Sequence, residues 1–308
     1  MEVAVMNNRE EWLKERKTYI GGSDIGAIIG CCPYKTALDV YMEKTSETLN
    51  EFENDATYWG NALEDVVAEE YAKRVNLPVE TETKLLRHSQ YPFIAANIDR
   101  WVDSGRYILE CKTAGFMSAK KWGVGPDSKQ IPESYQCQVA YYAAITGVPK
   151  VDIAVLIGGQ DFRIYTYTAD KVFQDKLIRA AVLFWTNFIV KNIPPKPTKT
   201  SDVEHLHPKS NGLEIEASHE ILDKMTELNG LKSQEKLLHT EIEHLNFQVK
   251  EFMQDNESLI DERGSVRATW KNTAPKLKLD AKKLEAEHAD IYQQYLKERK
   301  GFRMFLVK

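Results

Sequence analysis

The chain has 308 residues, 43% hydrophobic and 28% charged, enough apolar material for one large core or for a core with a smaller appendage. Those proportions exclude fibrous and wholly disordered chains. No apolar run reaches the roughly 18–20 residues that cross a bilayer, and MEVAVMNNREEWLKERK lacks a signal peptide's apolar stretch, so the expected location is cytoplasmic, with no membrane partner.

The formal net charge of −5, from 41 Lys+Arg against 46 Asp+Glu, argues against a grip on nucleic acid through bulk positive charge but leaves room for a local basic groove. Cys31, Cys32, Cys111 and Cys137 form no C-x-x-C pair and read as reduced thiols. Bridging the vicinal pair Cys31-Cys32 would strain the backbone.

Residues 8–18 carry a helical pattern, and IGGSDIGAIIG follows as a glycine turn in which Ser23 and Asp24 are both good N-caps for a short apolar helix. Helices are expected over 36–45 and 58–75, the second with Leu63, Val66, Val67 and Tyr71 at helical spacing. After Pro78 the pattern changes to strands, VETETKLLRH, FIAANIDRWV and YILECKT, separated by Tyr91-Pro92 and Asp103-Ser104-Gly105. A helix from Ser134 to Thr146, closed by Gly147 and Pro149, comes next. VDIAVLIGG and FRIYTYT add two strands, and a long helix runs from Asp170 to Lys191. This order predicts an α/β (α+β) fold, a central mixed sheet flanked by helices.

The four prolines of IPPKPTKTSDVEHLHPKSNG mark a stiff connector, placed at 196–212, between a body (1–195) and an appendage (213–308). The appendage opens with an amphipathic helical stretch over 217–255. There Leu231, Leu238, Leu245 and Phe252 recur every seven residues with Ile242 and Val249 between them, a seam that needs a partner helix. Asn229-Gly230 is expected to break it. SVRATWK, a Lys-rich helix around 280–299 and a closing FRMFLVK read as strand, helix, strand. The expected role of the appendage is oligomerisation or partner docking.

The segment ANIDRWVDSGRYILECKTA holds the most chemistry. On an extended strand Glu110 and Lys112 share a face and Cys111 points away. If the two strands form a hairpin, Asp99 meets Glu110 across the ladder, and two carboxylates and an ammonium converge. Such a cluster suits a hard divalent cation such as Mg²⁺, to which the backbone carbonyl of Cys111 can add a further ligand. Lys112 can orient or deprotonate an attacking water, the latter needing a lowered pKa, or neutralise charge on phosphorus. By spacing alone, an ordinary strand with a Glu-Lys ion pair reads the same way.

This arrangement resembles the PD-(D/E)xK nuclease core, and the body resembles one branch of it, the YqaJ-type viral recombinases related to the lambda exonuclease. WLKERKTYIGGSDIGAIIG, WGNALEDVVAEEYAKR, IDRWV with YILECKTA, and IPESYQCQVAYYAAITG are similar to that family's motifs and follow in its order. The resemblance implies that Asp99 and Glu110 are metal ligands and Lys112 the catalytic lysine. Glu64, on the preceding helix, would complete the site for one or two Mg²⁺ (or Mn²⁺) ions. Gln138 would face the site to orient water or phosphate, with Gln136 competing for the role and Tyr142 on the face of Gln138. Arg16 and Ser23 match the positions that hold a 5′-terminal phosphate, with Lys17 as a secondary contact. By the residues alone, Glu64 reads rather as a solvated helix carboxylate beside Asp65, Glu69 and Glu70, and Ser23 can be no more than a cap.

The implied activity is a metal-dependent double-stranded DNA exonuclease, 5′ to 3′, leaving 3′ single strands for phage-type recombination by an annealing partner. The implied assembly is a homo-oligomer, even a ring, and the implied origin a phage or prophage acting in a bacterial cytoplasm. A restriction-like or repair endonuclease and a non-catalytic DNA-binding recombination scaffold are the alternatives. The histidines show no H-E-x-x-H spacing, and neither a G-x-S-x-G elbow nor a Walker A loop occurs.

Overall fold

The computed structural model describes residues 10–48, 54–124, 130–298 and 301–307. Residues 8 and 9 of the first expected helix, residue 299 of the Lys-rich helix and the final lysine lie outside this set. The chain divides into two units, Met1–Leu206 and His207–Lys308.

In the first unit, β1 (Val79–Thr81), β4 (Arg100–Val102), β5 (Tyr107–Ala114), β6 (Lys150–Ile157) and β7 (Asp161–Thr168) lie side by side in that order. β5 and β6 are parallel, and the other pairs are antiparallel, so the sheet is mixed as expected. A separate ribbon pairs β2 (Leu86–Arg87) with β3 (Ala95–Ala96). Each of the first two expected strands is therefore split in two. Glu82, where β1 ends, accepts hydrogen bonds from the Trp101 indole (2.8 Å) and the Lys84 amide (2.8 Å), turning the chain away from the main sheet.

Helices α1 (residues 10–16), α2 (Gly22–Ile28), α3 (Ala37–Thr45), α4 (Asp55–Val75), α5 (Glu133–Thr146) and α6 (Lys171–Phe184) surround the sheet. Strand alternation divides them. Leu109 and Cys111 of β5 point to an apolar cluster with Val67, Ala68 and Tyr71 of α4. Ile108 points the other way, into the larger core with α2 and α5. Glu110 and Lys112 share that second face.

α2 begins two residues earlier than a Ser23 cap, and three earlier than an Asp24 cap, would place it. Gly21 is the cap, and Asp24, three residues on, reaches back to accept its N–H (3.1 Å). A Cβ on Gly22 would sit 2.3 Å from the Tyr142 ring, so glycine is what lets α2 approach α5 this closely.

The expected linker is only partly a linker. α7 (Thr200–Leu206) belongs to the first unit, where buried Asp202 accepts from Thr36 Oγ1 (2.9 Å) and the Thr198 amide (2.8 Å). In the second unit, α8 (His219–Met253) runs unbroken through Asn229-Gly230. A single interior glycine costs a helix about 1 kcal/mol, too little to interrupt so long a run. β8 (Ser258–Ile260) and β9 (Val266–Thr269) form a hairpin, followed by α9 (Ala281–Glu287) and α10 (Ala289–Tyr295). The expected final strand is absent: residues 301–307 carry no regular secondary structure.

Candidate active site

The β4–β5 ladder pairs Arg100 with Leu109, so Asp99 and Glu110 stand opposite each other just past its end. Beyond that end the Cys111 N–H has no strand partner on the β4 side, and the Asp99 carboxylate accepts it instead (2.7 Å). Because N–H and C=O of one strand residue point the same way, the Cys111 carbonyl also lies on the Asp99 side.

Glu110 is buried. One of its oxygens accepts from Lys112 Nζ (2.5 Å) and from Gln138 Nε2 (2.7 Å), while Oε2 is buried without a hydrogen-bond partner. Gln138 also donates to the Tyr142 hydroxyl (2.9 Å), placing both α5 side chains against Glu110. Gln136 turns instead to the Ile131 carbonyl (3.1 Å), so of the two glutamines only Gln138 faces the cluster. The Lys112 ammonium lies over the Tyr135 ring, 5.1 Å from its centre.

The electrostatics follow from burial. Burial, then the Glu110 charge, pushes the Asp99 carboxyl well above the ordinary carboxylate range, and Lys112 offsets this only in part. Burial also raises Glu110 against the pull of Lys112. For Lys112 burial works to lower the pKa, but Glu110 and Asp99 outweigh it and hold the ammonium above its ordinary value. Lys112 is therefore charged, suited to orienting water or neutralising phosphate and unsuited to acting as a base in this state.

Glu64 lies near this cluster but is held by Arg100 (2.7 Å), whose guanidinium also contacts Asp65 and donates to the Asp99 carbonyl (2.6 Å). Arg100 points to the α4 side because its neighbour Asp99 points to the other. Sequence reading missed it, although a basic residue beside Asp99 and two adjacent acids on a helix were the available signals. With Glu64 so held, no three His, Cys, Asp or Glu side chains among the described residues close a metal cage. The residues nonetheless fit a cation. An unpartnered buried carboxylate oxygen beside a second raised carboxylate is a donor set lacking its positive partner.

Arg16 donates to Ser23 Oγ (3.1 Å) and stacks over Trp12 at 5.3 Å. This pair lines the same cleft as Glu64, Asp99, Glu110, Lys112 and Gln138, a hollow of about 810 Å³. Lys17 does not line it. Its ammonium is bound to the carbonyls of Ser46 (2.5 Å) and Thr48 (2.9 Å). A second acid cluster lies behind Ser23, where buried Asp24 contacts Lys44 (2.8 Å) and Lys35 (2.9 Å). Burial raises the Asp24 carboxyl, but Lys44, Lys35 and Arg16 together bring it well below the ordinary range. Lys44 also donates to the Arg16 carbonyl (2.8 Å), tying this cluster to the arginine's backbone.

The mixed sheet flanked by helices brings Asp99, Glu110 and Lys112 together at the end of a hairpin, the arrangement that the resemblance to a PD-(D/E)xK core implied. Residues 11–149 match the YqaJ-like viral recombinase domain. The chain is 32% identical over 309 residues to the protein YqaJ of Bacillus subtilis (strain 168), covering 98% of this chain and 94% of that one. It belongs to the YqaJ-like viral recombinase family. Among solved structures it is similar to the alkaline exonuclease LHK-Exo of Laribacter hongkongensis, with 14% identity, TM-score 0.47 and coverage of 59% of this chain and 93% of that one. A phage-related exonuclease of Haemophilus somnus 129PT is similar at 15% identity and TM-score 0.42, covering 56% and 96%. No helix among the described residues is long and apolar enough to cross a membrane.

Proposed function

We propose that the protein is a divalent-metal-dependent exonuclease that degrades double-stranded DNA from its ends, 5′ to 3′, leaving 3′ single strands for a strand-annealing partner in phage-type recombination. The observation that carries this reading is the shared cleft, in which the Glu110 cluster and the Arg16–Ser23 pair lie together.

Asp99, Glu110 and the Cys111 carbonyl would hold Mg²⁺ or Mn²⁺, with Glu64 joining once it leaves Arg100. When bound, the metal supplies Lewis-acid stabilisation of phosphate and acidifies water. Lys112, kept charged by its two carboxylates, orients the attacking water and opposes negative charge growing on the phosphate oxygens. Gln138, fixed between Glu110 and Tyr142, presents its amide to the same region. Arg16 and Ser23 bind a terminal 5′-phosphate through charge-assisted hydrogen bonds, setting the end of the strand against the hydrolytic groups.

The test compares 5′-phosphorylated linear duplex, dephosphorylated duplex and covalently closed circles, with Mg²⁺ and with EDTA. The expected result is Mg²⁺-dependent loss of the phosphorylated duplex alone, removed by Lys112→Ala and shifted to higher KM by Arg16→Ala. Cutting of closed circles would make it an endonuclease. Duplex binding with no cleavage under any metal would make it a scaffold.

A further inference from the structure

Tyr34 lines the same cleft as Arg16, Ser23 and Lys112, yet its side chain is 80% exposed. The segment that carries it, between α2 and α3, is pinned on both sides of the ring. Before it, the Cys31 and Cys32 amides donate to the Gly26 carbonyl (2.9 and 3.1 Å), and the Pro33 carbonyl accepts from Lys199 Nζ (3.0 Å). After it, Lys35 sets its ammonium on buried Asp24 (2.9 Å) and on Glu43 (2.6 Å). Thr36, the cap of α3, donates to buried Asp202 (2.9 Å). The neighbours are thus anchored inward while the ring between them is held out, forgoing the burial that an aromatic side chain ordinarily gains.

We infer that Tyr34 is a stacking platform for the nucleobase of the 5′-terminal nucleotide. This rests on the nuclease reading. In that reading the terminal nucleotide runs from its 5′-phosphate, at Arg16 and Ser23, to the scissile phosphate, at Glu110 and Lys112, so its base projects from the cleft between the two. Tyr34 is tied to both places. Its segment continues directly from α2, which carries Ser23, and its neighbour Lys35 is bound to Asp24, the residue next to Ser23. From the other side comes Lys121, at the end of the short 3-10 helix that follows β5, the strand of Glu110 and Lys112. Its ammonium donates to the Tyr34 hydroxyl (3.5 Å) and stands 5.8 Å from the ring centre.

A flat π face with an exposed cation at its edge matches a nucleotide, whose base can lie on the ring while its backbone phosphate approaches the ammonium. Such stacking is indifferent to sequence because every base has a π face, as degradation along an arbitrary duplex requires. A protein segment seated on the same ring would instead obstruct the cleft that holds Glu110 and Arg16.

The experiment measures binding of the full chain to a hairpin duplex with one open, 5′-phosphorylated end and a fluorophore in its loop, with Ca²⁺ in place of Mg²⁺ to keep the strand whole. A second hairpin keeps the 5′-phosphate but has an abasic 5′-terminal nucleotide. Wild type should bind the first about fivefold or more tightly than the second, the usual worth of one base on an aromatic ring. Tyr34→Leu should weaken binding of the intact end by that factor and leave the abasic end unchanged, while Tyr34→Phe keeps the preference. A ring so exposed can be replaced without disturbing the core, and circular dichroism would verify this. Equal affinity of wild type for the two ends, or equal losses on both in Tyr34→Leu, would overturn the inference while leaving the nuclease reading in place. Failure of wild type to bind either hairpin would overturn both.

Discussion

Two buried acid clusters line one cleft, and they are balanced in opposite ways. Asp24 has two ammonium groups within 2.9 Å, those of Lys35 and Lys44, and is held ionised. Asp99 and Glu110 share one ammonium, from Lys112, and both carboxyls are raised. The first cluster is complete and acts as structure, anchoring the turn that carries Ser23 and the backbone of Arg16. The second lacks a positive charge. The contrast shows where an acidic chain places its demand for a cation, which net charge alone could not.

The largest expected effect breaks the complete cluster. Asp24→Asn leaves two ammonium groups facing each other in a site where Lys44 is 1% exposed, and removing one partner of such a buried set costs about 3–5 kcal/mol. Urea unfolding should show that loss with the slope unchanged, and a value near zero would mean the lysines find water. Next in size, Lys112→Ala should lower hydrolysis of phosphorylated duplex by ~10²–10³-fold, the usual cost of one donor aimed at developing charge. Single-turnover kinetics would check it. A variant as active as wild type would remove Lys112 from the chemistry.

The clusters should also titrate with opposite sign. Asp24 has a folded pKa below its ordinary value of 3.8, so its contribution is complete above 3.8 and is lost as pH falls below that towards the folded value. Asp99 and Glu110 have folded values above 3.8 and 4.5. The folded state therefore binds more protons than the unfolded one, and stability from these groups declines as pH rises from about 4.5 through the raised values. Mg²⁺ or Mn²⁺ competes with those protons. The melting-temperature gain from either metal should thus be larger at pH 8 than at pH 5.5, and Glu110→Gln should flatten the difference. A gain independent of pH would separate metal binding from this pair.

Much of this contrast was legible in the sequence, for reasons that also explain what was not. The spacing from Asp99 through Glu110 to Lys112 follows from strand alternation and a short turn, both local rules, and the structure brings the three together. The Asp24 cluster is not local, since Lys35 and Lys44 reach it from the turn before α3 and from α3 itself, and each alone reads as a solvated lysine. Arg100 was hidden for a related reason, because its partners Glu64 and Asp65 lie on α4, 36 and 35 residues earlier in the chain. The Gly230 break failed because a helix of this length absorbs one poor residue. The split of the first two strands depends on side-chain hydrogen bonds at Glu82, for which the alternation pattern carries no signal.

The smallest expected effect refines the incomplete cluster. Tyr142 accepts from Gln138, and Gln138 donates to Glu110, so the tyrosine is expected to act on the site by positioning the amide. Tyr142→Phe keeps the ring that packs against Gly22 and removes only the hydroxyl. The loss should be about 1 kcal/mol, or roughly fivefold in kcat/KM, the net worth of one neutral hydrogen bond. It should fall on kcat, with KM for phosphorylated duplex unchanged, because Arg16 and Ser23 are untouched. Gln138→Ala should cost more than this and make the added Tyr142→Phe silent. Additive losses in the double variant would mean that the hydroxyl reaches substrate by itself, and that Gln138 is held in place by Glu110 alone.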